Sequence, residues 1–367
     1  MVEGGQRSTH IFILALVSLL QMGVSALLLN HLSMENWSVI YAEDSEGYLL
    51  VARNFLGEQI PPSSLPLLKY RLFSPVVPLT ASLIARILSL KYSFLFLNGC
   101  LWLASVYLFY RFAQSLLNEK LGFYSALVLA TSLPFIIWGL PIMTDMAAFF
   151  FAVLNCILIT YFFSERKSPF MVLVGTLSLS ILTKPTLVSL LLFFILYTFF
   201  QRRYMRILPV VCITLIVVGV IYRSLDLSIG DFRAFGYLRH QGFLYVLNAL
   251  VVCFHWGLPL AVWGFWLEKH KRGFYLTYLV CTFSCYLIFV HNPRLIFVIY
   301  PAALPLVVRG LEGCAYQVAL RWHHKVERVT ILLVSGYVIT SNILAGLYLL
   351  VTRVLQYRSI ESLPPLF

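Results

Sequence analysis

The chain has 367 residues, of which 60% are hydrophobic and only 11% charged, and its formal net charge is +12. A soluble domain carries about 45–50% apolar and about 25% charged residues, so a water-soluble enzyme, a disordered protein and a nucleic-acid binder are excluded. The 27 Lys and Arg residues stand in short runs between long apolar stretches, the pattern of a polytopic membrane protein whose loops follow the positive-inside bias.

A membrane-spanning helix needs about 20 mostly apolar residues. The first candidate is 11–31. It is longer than the 7–15 apolar residues of a signal-peptide core and is read as a retained first span. A long loop, 32–93, follows. Further spans are expected at 94–112, 121–139, 145–163, 206–222, 243–267, 273–290, 295–311 and 329–351. The apolar stretch 169–200 contains Lys184-Pro185. Proline ends or kinks a helix at the residue before it, so the stretch divides into two short spans, 169–183 and 185–200. The segment 74–90 is apolar but carries Pro75, Pro78 and Arg86, and parity decides how it is read. If it does not cross, 15 of the 27 Lys and Arg lie on the side of the N-terminus; if it does, only 10 do. The positive-inside bias favours the first arrangement. The fold class is therefore all-α: a polytopic membrane protein with about 11 transmembrane helices and interfacial helices in its first outer loop. The N-terminus is expected in the cytoplasm. Residues 1–222 form one transmembrane module carrying the loop 32–93, and 223–367 form a second outer loop and the C-terminal helices. The seven cysteines lie in or beside apolar runs without any CxxC pair, as small packing residues do.

Charged residues at membrane spans are costly and mark candidate sites. In the first loop, Asp44, Glu46 and Tyr48 precede Leu49-Leu50-Val51-Ala52. The spacing of Tyr48, Val51, Ala52 and Phe55 predicts one apolar face of a short helix. Asp44 stands at its N-cap position, with Glu46 favourable to the dipole. Either acid could instead take a proton from an incoming hydroxyl. Asp145 opens a later span directly after Thr144, again as a helix cap or as a second carboxylate on the same membrane face. Lys184 either snorkels to the interface or faces that same side. Arg71, Arg239-His240 and His291-Asn292-Pro293-Arg294 fall in outer segments. Cations there run against the positive-inside bias, which suits a lipid phosphate as partner.

The order of these features resembles the integral-membrane glycosyltransferases of the GT-C fold, above all the bacterial members similar to protein O-mannosyltransferases and to the aminoarabinose transferase of lipid A. Their acid-x-x-x-Tyr-x-x-x-Ala pattern stands here as Asp44, Tyr48 and Ala52. The outer helix with prolines begins at Arg71-Leu72-Phe73-Ser74-Pro75, the acid opening a span is Thr144-Asp145, the Thr-Lys turn is Thr183-Lys184, and the Arg before an apolar run with prolines is Arg294. The match covers about the first 220 residues, with an echo near 291–305. Lipid A-modifying members carry an acid and a lysine just before the loop proline, where this chain has Leu72-Phe73-Ser74.

The resemblance implies transfer of a sugar from a polyprenyl-phosphate donor to a hydroxyl of a glycan, lipid or protein acceptor on the extracytoplasmic face, with inversion. Asp44 and Asp145 would be the catalytic acids. Lys184, Arg294 and Arg71 would hold the donor phosphate, and Glu46, Tyr48, His291, Arg239 and His240 would lie toward the acceptor. No cofactor is implied with certainty; two acids could hold a divalent cation, but no metal-ligand set is spelled out. The alternative is a transporter or flippase of a lipid-linked or small anionic substrate, although transporters place ionisable residues deep in broken helices near the midplane. A polysaccharide polymerase or ligase is a further alternative, which the short loop 223–242 disfavours.

Overall fold

The computed structural model describes residues 2–32, 45–164, 170–228, 250, 254–288 and 298–362. Apart from turns and short 3-10 segments, these residues form α-helices, with no strand among them. In chain order they are α1 (Val2–Leu32), α2 (Ser45–Phe55), α3 (Leu65–Arg71), α4 (Val76–Ile84), α5 (Leu90–Leu116), α6 (Glu119–Ala130), α7 (Leu133–Trp138), α8 (Asp145–Ser164), α9 (Phe170–Thr183) and α10 (Val188–Phe200). They continue as α11 (Ile207–Ser224), α12 (Gly257–Leu267), α13 (Arg272–Ile288), α14 (Tyr300–Trp322) and α15 (Val326–Ser362). The chain is an all-α, multi-pass integral membrane protein. Among the described residues, five helices are long and apolar enough to cross a bilayer: Arg7–Leu27, Leu90–Leu116, Asp145–Phe162, Ile207–Ser224 and Val326–Leu344. Three shorter apolar helices, Phe170–Thr183, Pro185–Phe200 and Gly257–Leu267, accompany them. These do not by themselves make up the eleven spans expected.

The first loop carries the short helices α2, α3 and α4. At nine residues, α4 is about 13 Å long, under half the roughly 30 Å hydrocarbon core, so it cannot cross. Tyr48, Val51 and Ala52 line the buried face of α2. Tyr48 and Ala52 pack with Val77, Ala81 and Phe94 of α4 and α5, and on the other flank Val51 packs with Leu68, Leu72 and Phe73. Tyr222 of α11 donates its hydroxyl to the Phe73 carbonyl at 3.1 Å, tying the loop to the bundle.

One expected span is divided. Residues 121–139 form two helices: α6 ends at Ala130, Thr131 caps it, and α7 starts at Leu133. The cause is Pro134. In a continuous helix its ring would meet the carbonyl of Ala130, four residues back, and it has no N–H to bond there. The helix expected at 295–311 instead runs on from Tyr300 to Trp322, and the described helix of the 243–267 segment begins only at Gly257. The break at Lys184-Pro185 is where the sequence places it: Lys184 is extended (φ −155°, ψ 116°) between α9 and a 3-10 turn at Pro185–Leu187.

The core is filled by aromatic side chains of α5, α7, α8, α10 and α13. Trp102 meets the edge of Phe135 at 5.2 Å between centroids, and Phe135 meets Phe149 at 5.3 Å. Helices α8 and α9 are joined by a buried polar bridge. Asn155 Nδ2 donates to Ser180 Oγ at 2.7 Å, and Thr176 Oγ1 donates to Asn155 Oδ1 at 2.9 Å. Helices α12 and α14 touch backbone to backbone: a Cβ at Gly264 would overlap the Leu306 carbonyl, and one at Gly310 the Leu260 carbonyl. Small residues at a crossing allow such close approach where lipid supplies no hydrophobic drive for association.

Candidate active site

The loop 139–144, between α7 and α8, is buried apart from its partly covered Leu140, and neighbouring helices satisfy its backbone. Asn98 Nδ2 of α5 donates to the Pro141 carbonyl at 2.6 Å. Ser45 Oγ, at the first residue of α2, donates to the Ile142 carbonyl at 2.9 Å. Three residues on, the Tyr48 hydroxyl lies 3.2 Å from Thr144 Oγ1. The N-terminus of α2 is thus pinned against the N-terminus of α8.

Asp145 is the first residue of α8 and is 3% exposed. A carboxylate is favoured there by the helix dipole, but burial makes a lone charge costly and calls for a partner. That partner is Lys184, whose Nζ donates to Asp145 Oδ1. The lysine reaches it because Pro185 breaks the chain there and leaves Lys184 extended between two helices. Its side chain is 17% exposed, against 4% for that of Asp145, so the ammonium is the part of the pair that a solute can approach.

Arg71, at the end of α3, stands on the other side of Tyr48. Its guanidinium carbon lies 5.1 Å from the Tyr48 ring centroid and 4.4 Å from that of Tyr70, within cation–π range. Gly47 makes room for it: a Cβ there would lie 2.5 Å from Arg71 Cγ. Arg71, Tyr48, Thr144-Asp145 and Lys184 therefore form one unbroken chain of contacts drawn from four separate segments.

Of the candidates read from the sequence, the structure brings together Arg71, Tyr48, Asp145 and Lys184. Glu46 is exposed in the first turn of α2. Asp44, Arg239, His240, His291 and Arg294 lie outside the described residues. Sequence reasoning missed Asn98 and Ser45, the two residues that lock the loop before Asp145. Asn98 carried a signal, being an amide inside an apolar run, a placement that calls for a polar partner; Ser45 carried none. Among the described residues no group of three or more His, Cys, Asp or Glu is placed to hold a metal ion.

The chain matches no protein-family model and no curated protein. Its structure, however, is similar to solved membrane proteins. It superposes on ArnT from Cupriavidus metallidurans in the apo state with a TM-score of 0.63 and 12% identity, covering 96% of this chain and 78% of that one. The same protein bound to undecaprenyl phosphate gives a TM-score of 0.62 and 13% identity, over 95% and 72%. An oligosaccharyltransferase from Archaeoglobus fulgidus, in complex with zinc and sulfate, gives 0.57 and 12%, covering 90% of this chain and 53% of that one. The chain thus spans about half the length of the oligosaccharyltransferase. The fold is that of the GT-C integral-membrane glycosyltransferases.

Proposed function

We propose that the protein is a membrane glycosyltransferase that moves a sugar from a polyprenyl-phosphate donor to an acceptor hydroxyl at the end of the bundle carrying Asp145, the extracytoplasmic end in the orientation the basic loops favour. The observation that carries the reading is the buried Asp145–Lys184 pair beside the anchored start of α2, in a fold shared with an enzyme solved bound to undecaprenyl phosphate. The four contacting residues all fall within 1–222, which we assign as the catalytic module; residues 223–367 complete the bundle and the acceptor side, with Arg239, His240 and His291.

In this reading the acceptor oxygen attacks the anomeric carbon as the bond from that carbon to the phosphate oxygen breaks, with inversion. The hydroxyl proton passes to the carboxylate of Asp44, the residue before the pinned Ser45. Two negative charges then gather on the departing lipid phosphate. Lys184 has three N–H donors, and Asp145 engages one of them. Asp145 holds the ammonium in place while its other hydrogens face the phosphate. Arg71, braced on Tyr48 and Tyr70, adds a second cation, and Arg294 a third. Prepositioned cations of this kind stabilise charge as it develops.

The test is mass spectrometry of lipid extracts and envelope glycans from cells carrying the wild type or Asp44→Asn, which keeps the shape and removes the base. The expected result is accumulation of a polyprenyl-phosphate sugar together with loss of one sugar mass from a glycan. A well-expressed Asp44→Asn protein that changes neither pool overturns the reading and leaves transport as the function to pursue.

A further inference from the structure

A recess lies at the end of the bundle away from Asp145. Asn98, near the start of α5, contacts the Asp145 loop, whereas Arg111 of the same helix lines a cavity of about 710 Å³. The rise from residue 98 to residue 111 is about 20 Å of helix. Helices α8 and α10 repeat the displacement: Asp145 opens α8 and Lys184 stands one 3-10 turn before α10, whereas Tyr161 and Phe200 line the cavity near the ends of those helices. The recess is therefore separate from the proposed active site.

Its walls are of two kinds. The basic side has Arg111, His270 and Lys271, and no Asp or Glu among the described lining residues. The apolar side is aromatic, with Tyr161, Tyr197 and Phe200; Tyr161 and Phe200 are 49% and 66% exposed at the rim. Lys271 Nζ donates to the Ser115 carbonyl, which leaves two of its three donors for other partners. Burial pushes the Lys271 ammonium below the ordinary lysine range, against the opposing pull of Glu268, and a bound anion would favour its charged form. The volume suits a headgroup of 300–1,000 Å³ ligand-site size and not a whole lipid, and the exposed aromatics are the edge over which acyl chains would pass into the bilayer. Basic pockets between membrane helices hold anionic headgroups for the same reason.

We infer that this recess binds the phosphate headgroup of an anionic phospholipid from the leaflet at that end of the protein, with Arg111, His270 and Lys271 as its ligands. The inference is independent of the proposed transferase activity. The purified full-length protein is titrated with phosphatidylglycerol and with phosphatidylcholine and followed by native mass spectrometry. At least a tenfold preference for phosphatidylglycerol is expected, falling to within twofold in the double variant Arg111→Gln, Lys271→Gln and persisting in Arg86→Gln, an exposed cation of the first loop. A photo-crosslinkable phosphatidylglycerol on the wild type reads the position without any variant; label is expected in segments 111–116, 157–161, 197–201 and 270–277. Equal retention of the two lipids, label confined to other segments, or a preference that survives in the folded double variant each overturns the inference. Displacement of the label by millimolar inorganic phosphate would assign the recess to a soluble anion and overturn it too.

Discussion

Replacing Lys184 by Met removes the ammonium and leaves the carboxylate of Asp145 buried without its partner. Removing one member of a buried ion pair costs about 3–5 kcal/mol. The Lys184 side chain is 17% exposed and that of Asp145 only 4%, so some solvent reaches the site and the lower end, about 3 kcal/mol, applies. Asp145→Asn removes the charge itself and leaves a lysine that can turn toward water, a loss of about 1 kcal/mol, as for one ordinary hydrogen bond. In the double variant no charge is orphaned and about 2 kcal/mol is lost, so the two changes couple by about 2 kcal/mol. Globular proteins unfold with about 2.1 cal/mol/K per residue, or about 0.8 kcal/mol/K for this chain. The expected falls in Tm are then about 4 °C for Lys184→Met, about 1 °C for Asp145→Asn and about 2.5 °C for the double variant. A membrane protein that keeps its helices on unfolding has a smaller entropy change, which enlarges all three shifts in proportion. Thermal melts of the detergent-purified variants measure them. If the double variant loses the sum of the single losses, Asp145 and Lys184 are not partners and the site argued from them fails.

Gly47→Ala would push on Arg71 Cγ from 2.5 Å. The Arg71 side chain can swing away, so the melting temperature should move by less than about 2 °C while the donor KM rises several-fold in a transfer assay. Asn155→Ala removes the bridge between α8 and α9; polar contacts between membrane helices are worth about 0.6–1.7 kcal/mol, and the variant should melt about 1–2 °C lower. Because Asp145 opens α8 and Lys184 directly follows the end of α9, its transfer rate should fall as well. Gly310→Val places a branched side chain against the Leu260 carbonyl, where neither backbone can yield; overpacking costs about 1–3 kcal/mol or more, and size-exclusion chromatography should show loss of the monodisperse peak.

The sequence disclosed those features that depend on local chemistry. Pro185 dictates a break wherever the surrounding residues pack, so the division of 169–200 and the exposed backbone of Lys184 were readable. The face Tyr48-Val51-Ala52-Phe55 repeats at helical spacing, which made α2 readable in a loop otherwise without regular pattern. Pro134 carries the same information as Pro185 but lies inside an unbroken apolar run, and hydropathy outweighed it. Contacts across the chain were not readable. Tyr48 was singled out for its place after Asp44, yet its hydroxyl meets Thr144, 96 residues away, and no local pattern encodes that distance. Asn98 and Ser45 support the site through backbone carbonyls of the loop before Asp145, and carbonyl acceptors are the same for every residue type. Arg71 joins the site only because Gly47 leaves space, a relation between two helices that a single sequence does not spell out.

The glycine crossing of α12 and α14 also sets a schedule for synthesis. Gly264 has no complete partner until Gly310 has been made, 46 positions later. At about 5–20 residues per second, α12 waits roughly 2–9 s after translation before its glycine face can close. During that interval the exposed backbone at Gly264 is open to any other small-residue surface in the insertion machinery or the bilayer. Slowed elongation between the two glycines would lengthen that exposure, and the yield of correctly paired protein would become sensitive to codon choice across α13.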